Sequence, residues 1–322
     1  MNIVIVTPAA APTLSGNLNT AQRWARLLKH IGHQVEIESE WDGAPADLMI
    51  ALHAGKSYGS IQRFATLVPR RPLIVCLTGT DLYRDLRTDS SAQNSLELAT
   101  RLVVLQEMAL KELPADMRHK THVIYQSAKP IPPVAPLKSQ FEISVIGHLR
   151  EEKDPFRCAM ALRYLPPTSR IRVCHMGRAM SAEMNDQARQ WMAREPRYRW
   201  TGEIQHREVR RRLARSRAMV ISSLMEGGAN VISEALVTNV PVIASRVPGN
   251  IGMLGEKYNG YFTAGDEREL AALLLWLESN HDFRTALKNQ CRKRVPLVLE
   301  KCESKGLEAL LADIKRQRPG QA

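Results

Sequence analysis

The chain has 322 residues, 44% of them hydrophobic and 24% charged. At roughly 100–200 residues per domain, that length points to two domains, and the balance suits a packed core in each and excludes disorder for most of the chain. The longest apolar run, LAALLLWL at 270–277, falls short of the ~18 residues that a membrane-crossing helix needs, so no stable membrane insertion is expected.

The net charge is +12, with 15 basic and 12 acidic residues up to Gln140 and 30 and 21 after it. This excess suits an anionic partner: nucleic acid, acidic lipid or a phosphorylated small molecule. Cys76, Cys158, Cys174, Cys291 and Cys302 form no CxxC pair and no metal-ligand spacing, which predicts reduced structural thiols. The opening MNIVIVTP lacks a basic region and a small-residue cleavage site, so it is expected to be a first buried strand of a cytoplasmic protein.

From there, short β-branched runs alternate with helical periodicity: IVIV, VEIE, DLMIAL, PLIVCL, RLVVL and HVIY. That alternation predicts a parallel α/β domain over 1–132. Its first helix carries Leu18, Ala21, Trp24, Ala25, Leu28 and Ile31 on one face, with Arg23, Arg26 and Lys29 on the other, and Gly32 as its cap. The prolines of AKPIPPVAPLKSQ forbid helix interior and central strand, which places an extended linker at 133–140. A second parallel α/β domain is expected over 141–298, from FEISVIG, IRVCHMG, YRWTG, AMVISS and PVIAS with helices between them. The tail from about Asp266 carries helices only, and the last, within 299–322, is expected to pack across the domain junction. Two such domains imply ligands at the carboxyl ends of strands, in the cleft between them.

Five segments could carry chemistry there. In MEGGANVISEAL a strand is expected to end at Glu226, and the glycines before the next helix let an anion approach the amides of Gly228, Ala229 and Asn230. Glu234, eight residues beyond Glu226, could accept from paired hydroxyls; equally, this is a tight turn with two surface glutamates. GHLREEKDP begins at Gly147 and puts Arg150 and Lys153 after a strand, as a diphosphate clamp or as a solvated loop. SGNLNT, from Ser15, offers Gly16 and Asn17 at a helix start, for a ligand or as ordinary capping. LTGTDLYRDL and ALHAGKS place Thr78, Thr80, Asp81 and Arg84, with His53 and Lys56, in a candidate acceptor pocket, although a lone His is more often structural. HREVRRRLARSR, 206–217, is the most basic helix; no aromatics interleave with its arginines, so a solvated face or an anionic membrane contact fits better than nucleic acid.

Taken in order, GHLREEK, YRWTGEIQHREV, MEGGANVISEAL, PVIASRVPGN and GYFTAGDERELAALL resemble the retaining, family-4-like glycosyltransferases of the GT-B fold, a group that includes sucrose and phosphatidylinositol-mannoside synthases. The resemblance covers nearly the whole chain. It implies two Rossmann-like domains facing across a cleft, with an acceptor domain first and a nucleotide-sugar domain second. It also implies that Arg150 and Lys153 hold the diphosphate, Glu226 the donor-sugar hydroxyls and Glu234 the ribose. Gly16 and Asn17 would close over the pyrophosphate, and the site would use no metal and no resident cofactor. Two positions depart from the pattern: Thr78 stands where the family often has His, and Asn250 follows Gly249 in place of a second glycine.

A narrower similarity joins VTPAA, SGNLNTAQRWARLL, EWDGAPADLMIALHA, LTGTDLYRDL, LVVLQ, VIYQSA and EGGANVISEAL to the selenosugar synthases of selenoneine biosynthesis. Those enzymes join selenophosphate to a UDP-sugar, such as UDP-glucose or UDP-GlcNAc, with loss of UDP and phosphate. Other functions compatible with these motifs are a conventional glycosyltransferase with a thiol, alcohol or lipid-linked acceptor, and a UDP-sugar epimerase. A noncatalytic nucleic-acid binder fits them least.

Overall fold

The computed structural model describes residues 1–8, 16–132 and 134–316, and it divides into two compact units. The first comprises Met1–Gln126 with the chain from Glu300 onward, and the second comprises Ser127–Leu299. Each unit is built on one six-stranded sheet whose strand pairs are all parallel.

In the first unit the chain runs β1 (Asn2–Val6), α1 (Gly16–His30), β2 (Gln34–Glu38), β3 (Leu48–Leu52), α2 (Tyr58–Leu67) and β4 (Leu73–Leu77). It continues through α3 (Leu86–Thr88), α4 (Ser90–Leu98), β5 (Arg101–Val104) and β6 (Thr121–Val123). The sheet order β2-β1-β3-β4-β5-β6 reverses direction between β1 and β3, so the loops after those two strands flank a switch point. Because side chains alternate across a strand, Ile3, Ile5, Ile50 and Ile74 face one way, onto Trp24 and Leu28 of α1. Val4, Val6, Met49 and Val75 face the other way, onto Trp41 and onto Ile61 and Phe64 of α2.

The second unit runs β7 (Phe141–Ile146), α5 (Arg157–Leu162), β8 (Ile171–Met176), α6 (Ala182–Arg194), β9 (Tyr198–Trp200) and α7 (His206–Arg215). Then come β10 (Ala218–Ile221), α8 (Asn230–Val237), β11 (Val242–Ser245), α9 (Pro248–Leu254), β12 (Tyr261–Phe262), α10 (Glu267–Ser279) and α11 (His281–Arg294). Its order β12-β11-β10-β7-β8-β9 is the doubly wound arrangement, with the switch point between β7 and β10.

The last helix, α12 (Glu300–Arg316), belongs to the first unit, where Leu307, Leu310, Leu311 and Ile314 complete the core beneath α1. The α1 face that carries Arg23 and Arg26 receives α12. Glu303, 1% exposed, accepts from Arg23 Nε at 2.8 Å and from Trp24 Nε1 at 2.8 Å, and Glu300 pairs with Arg26 at 2.7 Å. Carboxylates three residues apart on one helix thus match arginines three residues apart on the other.

One expected strand end shifts, one helix starts late and one strand was not anticipated. The strand expected to end at Glu226 stops at Ile221. Beyond it, Ser222 Oγ and the Leu224 amide bond to carbonyls of the 152–154 turn instead of a neighbouring strand. α5 begins only at Arg157, because Asp154 is left-handed (φ 43°) and Pro155 follows it. β12 was not anticipated; two residues are too few to show a period.

Candidate functional site

At the switch point of the second unit, Arg150 precedes and Lys153 ends a short 3-10 turn (Glu151–Lys153) after β7, and Glu226 lies in the loop after β10. The Lys153 ammonium donates directly to Glu226 Oε1, and Ser223 Oγ donates to the same oxygen at 2.6 Å. Glu226 is 7% exposed, so its charge rests on these donors. No hydrogen bond reaches its Oε2 among the described residues. Arg150 is exposed, and no partner engages its guanidinium among the described residues.

The loop and the turn are stitched together. Ser222 Oγ donates to the carbonyls of Lys153 (3.1 Å) and Asp154 (2.8 Å), and the Leu224 amide donates to Glu152 at 2.9 Å. α9 closes the loop from the other side: a Cβ at Gly249 would lie 1.8 Å from the Glu226 carbonyl oxygen, so only glycine fits.

Gly147 directly follows β7, and a Cβ at Gly177 would lie 1.9 Å from its carbonyl oxygen. His175 donates Nε2–H to the Gly147 carbonyl at 3.2 Å, because a carbonyl can only accept, and its Nδ1 then accepts from Tyr198 Oη at 2.8 Å. Burial pushes the His175 pKa down to about 4, holding the ring neutral in that tautomer. Gly228 and Ala229 precede α8, whose first residue is Asn230, in the place expected for an amide cradle. Glu234, on α8, bonds through Oε1 to His206 Nε2 at 2.7 Å, and that carboxylate raises the imidazole pKa.

In the first unit, His53 follows β3 in a left-handed conformation (φ 76°) and is buried. The Lys56 amide donates to its Nδ1 at 3.2 Å, so Nε2 carries the proton and donates to Thr80 Oγ1 at 3.0 Å. Burial lowers the His53 pKa against the opposing pull of Asp81, with Lys56 and Arg84 lowering it further. Asp81 is 0% exposed and accepts from the amides of Ala54 (3.0 Å), Thr78 (2.9 Å) and Gly79 (2.8 Å). Its carboxylate therefore shapes the loop and offers no surface to a ligand. Arg84 pairs with Asp85 at 2.9 Å, and the Lys56 side chain is exposed. Gly16 and Asn17 open α1, where a Cβ at Gly16 would meet open space. Ser15 lies outside the described residues.

The structure thus joins Lys153 to Glu226, and Thr80 to His53. It draws Glu234 to His206, a residue counted at first only as part of a basic helix. That helix is less free than its sequence suggests: Arg212 bonds Glu208 and Arg215 bonds Glu142, each at 2.9 Å, which leaves Arg207 and Arg211 as its exposed arginines. Ser223 was missed, although Ser-x-x-Glu is a spacing at which a hydroxyl can reach back across a turn. Among the described residues, no three His, Cys, Asp or Glu side chains gather as metal ligands, and no helix is long and apolar enough to cross a membrane.

Two Rossmann-like units, each on a parallel six-stranded sheet, are the architecture of the GT-B fold. Residues 131–294, half of the chain, match the family described as glycosyl transferases group 1, and the chain belongs to that family. No protein with a curated description matches it. Among solved structures it is similar to Anabaena Alr3699/HepE in complex with UDP and glucose, at 16% identity and a TM-score of 0.76, covering 97% of this chain and 100% of that one. A sucrose-phosphate synthase from Thermosynechococcus elongatus aligns at 14% identity and a TM-score of 0.78, covering 98% of this chain and 99% of that one. A glycosyltransferase from Rickettsia africae aligns at 13% identity and a TM-score of 0.72, covering 98% of each chain.

Proposed function

We propose that the chain is a selenosugar synthase, transferring a glycosyl group from UDP-glucose or UDP-GlcNAc to selenophosphate. The observation that carries the donor half is the Lys153–Glu226 pair after β7 and β10, with Glu234 eight residues further on. The complex of the Anabaena protein with UDP-glucose supports the same donor class.

Arg150 and Lys153 receive the diphosphate, each charge-assisted bond contributing roughly 1.5–3 kcal/mol, and more as charge grows on departing UDP. Glu226 Oε2 takes donor-sugar hydroxyls, Glu234 takes the ribose diol in exchange for His206, and the amides of Gly228, Ala229 and Asn230 add donors to sugar and phosphate. Retention follows when selenium attacks an oxocarbenium-like C1 on the face that UDP leaves. The C1–O bond to UDP breaks as C1–Se forms, and water then cleaves Se–P to give the 1-selenosugar and phosphate. No metal is invoked in this scheme.

For the acceptor half, support comes from the resemblance to selenosugar synthases and from Lys56, Arg84 and Thr80 gathered around His53. Thr78 lines the same loop, and Asp81 holds its shape. A selenium nucleophile is already anionic and needs little general-base help, so a neutral His53 is no handicap.

Mass spectrometry of the purified protein with UDP-glucose or UDP-GlcNAc, with and without selenophosphate, tests this function. A selenium-containing sugar that forms only when both substrates are present is the expected result. UDP-sugar turnover that ignores selenophosphate and proceeds with a thiol, alcohol or lipid-linked acceptor would replace it with the conventional transferase.

A further inference from the structure

Behind Glu226 runs a line of buried polar side chains that no substrate contact requires. Asn250, 0% exposed, donates Nδ2 to the Ser245 carbonyl at 2.9 Å and to Ser245 Oγ at 3.1 Å. Ser245 Oγ donates to the Ser223 carbonyl at 2.6 Å, and Ser223 Oγ donates to Glu226 Oε1 at 2.6 Å. Every direction is forced, since carbonyls and carboxylates only accept. Rotating the Asn250 amide would set its oxygen against the Ser245 carbonyl, which fixes the amide as well.

Ser245 is 0% exposed and Ser223 1%, so neither hydroxyl has water to fall back on. Asn250 Oδ1 is buried with no partner among the described residues, while its nitrogen makes both bonds to Ser245. The position is the one where the GT-B pattern has a second glycine, and the residue before it, Gly249, lies against the Glu226 carbonyl.

We infer that Ser223, held by Ser245 and Asn250, is a positioning residue for Glu226. By sharing Oε1 with Lys153, it turns Oε2 toward the donor sugar. This rests on the proposed donor-binding role of Glu226. A carboxylate with one donor on Oε1 can swing about its side-chain torsions, whereas one held by both Lys153 and Ser223 keeps a single orientation before substrate arrives.

The test is a double-mutant cycle with a UDP-sugar and whichever acceptor supports turnover, with thermal melting as the check on folding. Ser223→Ala is expected to lower kcat about tenfold with KM for the UDP-sugar within threefold, and Ser223→Thr, which keeps the hydroxyl, to restore much of it. In a Glu226→Ala background, Ser223→Ala should cost nothing further. An equal loss in both backgrounds, or wild-type kcat in Ser223→Ala, overturns the inference. Wild-type turnover in Glu226→Ala alone overturns instead the donor-site assignment on which it rests. Should Ser223→Ala fail to fold, Ser245→Ala reads the same line one bond further back, with a loss of about threefold that again vanishes without Glu226.

Discussion

The loops after β10 and after β4 each hold a buried carboxylate at the carboxyl end of a strand, and they spend it differently. Glu226 accepts from an ammonium and a hydroxyl, both on one oxygen, within a loop whose backbone is held by other groups. Asp81 accepts from three backbone amides of its own and the neighbouring loop, and it is sealed from solvent. A carboxylate held by side chains on one oxygen keeps the other for a ligand. One engaged by backbone amides fixes a shape.

The largest effect expected from this contrast is at Gly249, where Ala would drive a methyl group into the Glu226 carbonyl. The loop must shift, and turnover should fall at least about a hundredfold while melting changes far less, since an ångström of displacement is enough to misplace a reacting group. Asp81→Asn should show the reverse. Its new NH2 faces amides that also donate, which costs on the order of 3 kcal/mol of stability, visible as a lowered melting temperature, while the folded fraction keeps turnover within several-fold.

Acid should act on the same scale. His175 carries a folded-state pKa of about 4. The unfolded chain therefore binds the proton first: stability is full above about pH 6.5, falls between about 6.5 and 4, and levels off below. The loss is on the order of 3 kcal/mol, with His53 adding to it in the same direction. Denaturant midpoints across that range should show the decline, and a flat profile would contradict the neutral ring beneath Gly147. The smallest effect belongs to Arg207 and Arg211, whose replacement by Ala should move stability by less than about 0.5 kcal/mol. A large loss of vesicle binding in those variants would reopen the membrane role for α7.

Much of this was legible in the residues because local chemistry carried it. Alternating IVIV, LMIAL and LIVCL runs announce buried parallel strands, and the Glu226–Glu234 spacing marks the loop and helix of the candidate site. Pairings across long separations were not legible. Arg23 with Glu303, Glu234 with His206 and Asp81 with the Ala54 amide are each drawn together only by the fold, so the partners of a cationic helix face stayed hidden and a loop carboxylate looked available. Ser223 was hidden for another reason: a serine just past a strand is so ordinary that only its bond to Glu226 sets it apart.

The most direct test of the central claim is the turnover of Lys153→Ala beside wild type and beside Lys56→Ala. With Lys153 placed against Glu226 at the switch point, turnover should drop at least about a hundredfold, with a smaller loss for Lys56→Ala that falls mainly on KM for the proposed anionic acceptor. Turnover of Lys153→Ala within a few-fold of wild type would mean that the pair after β7 and β10 is not where the leaving diphosphate is held.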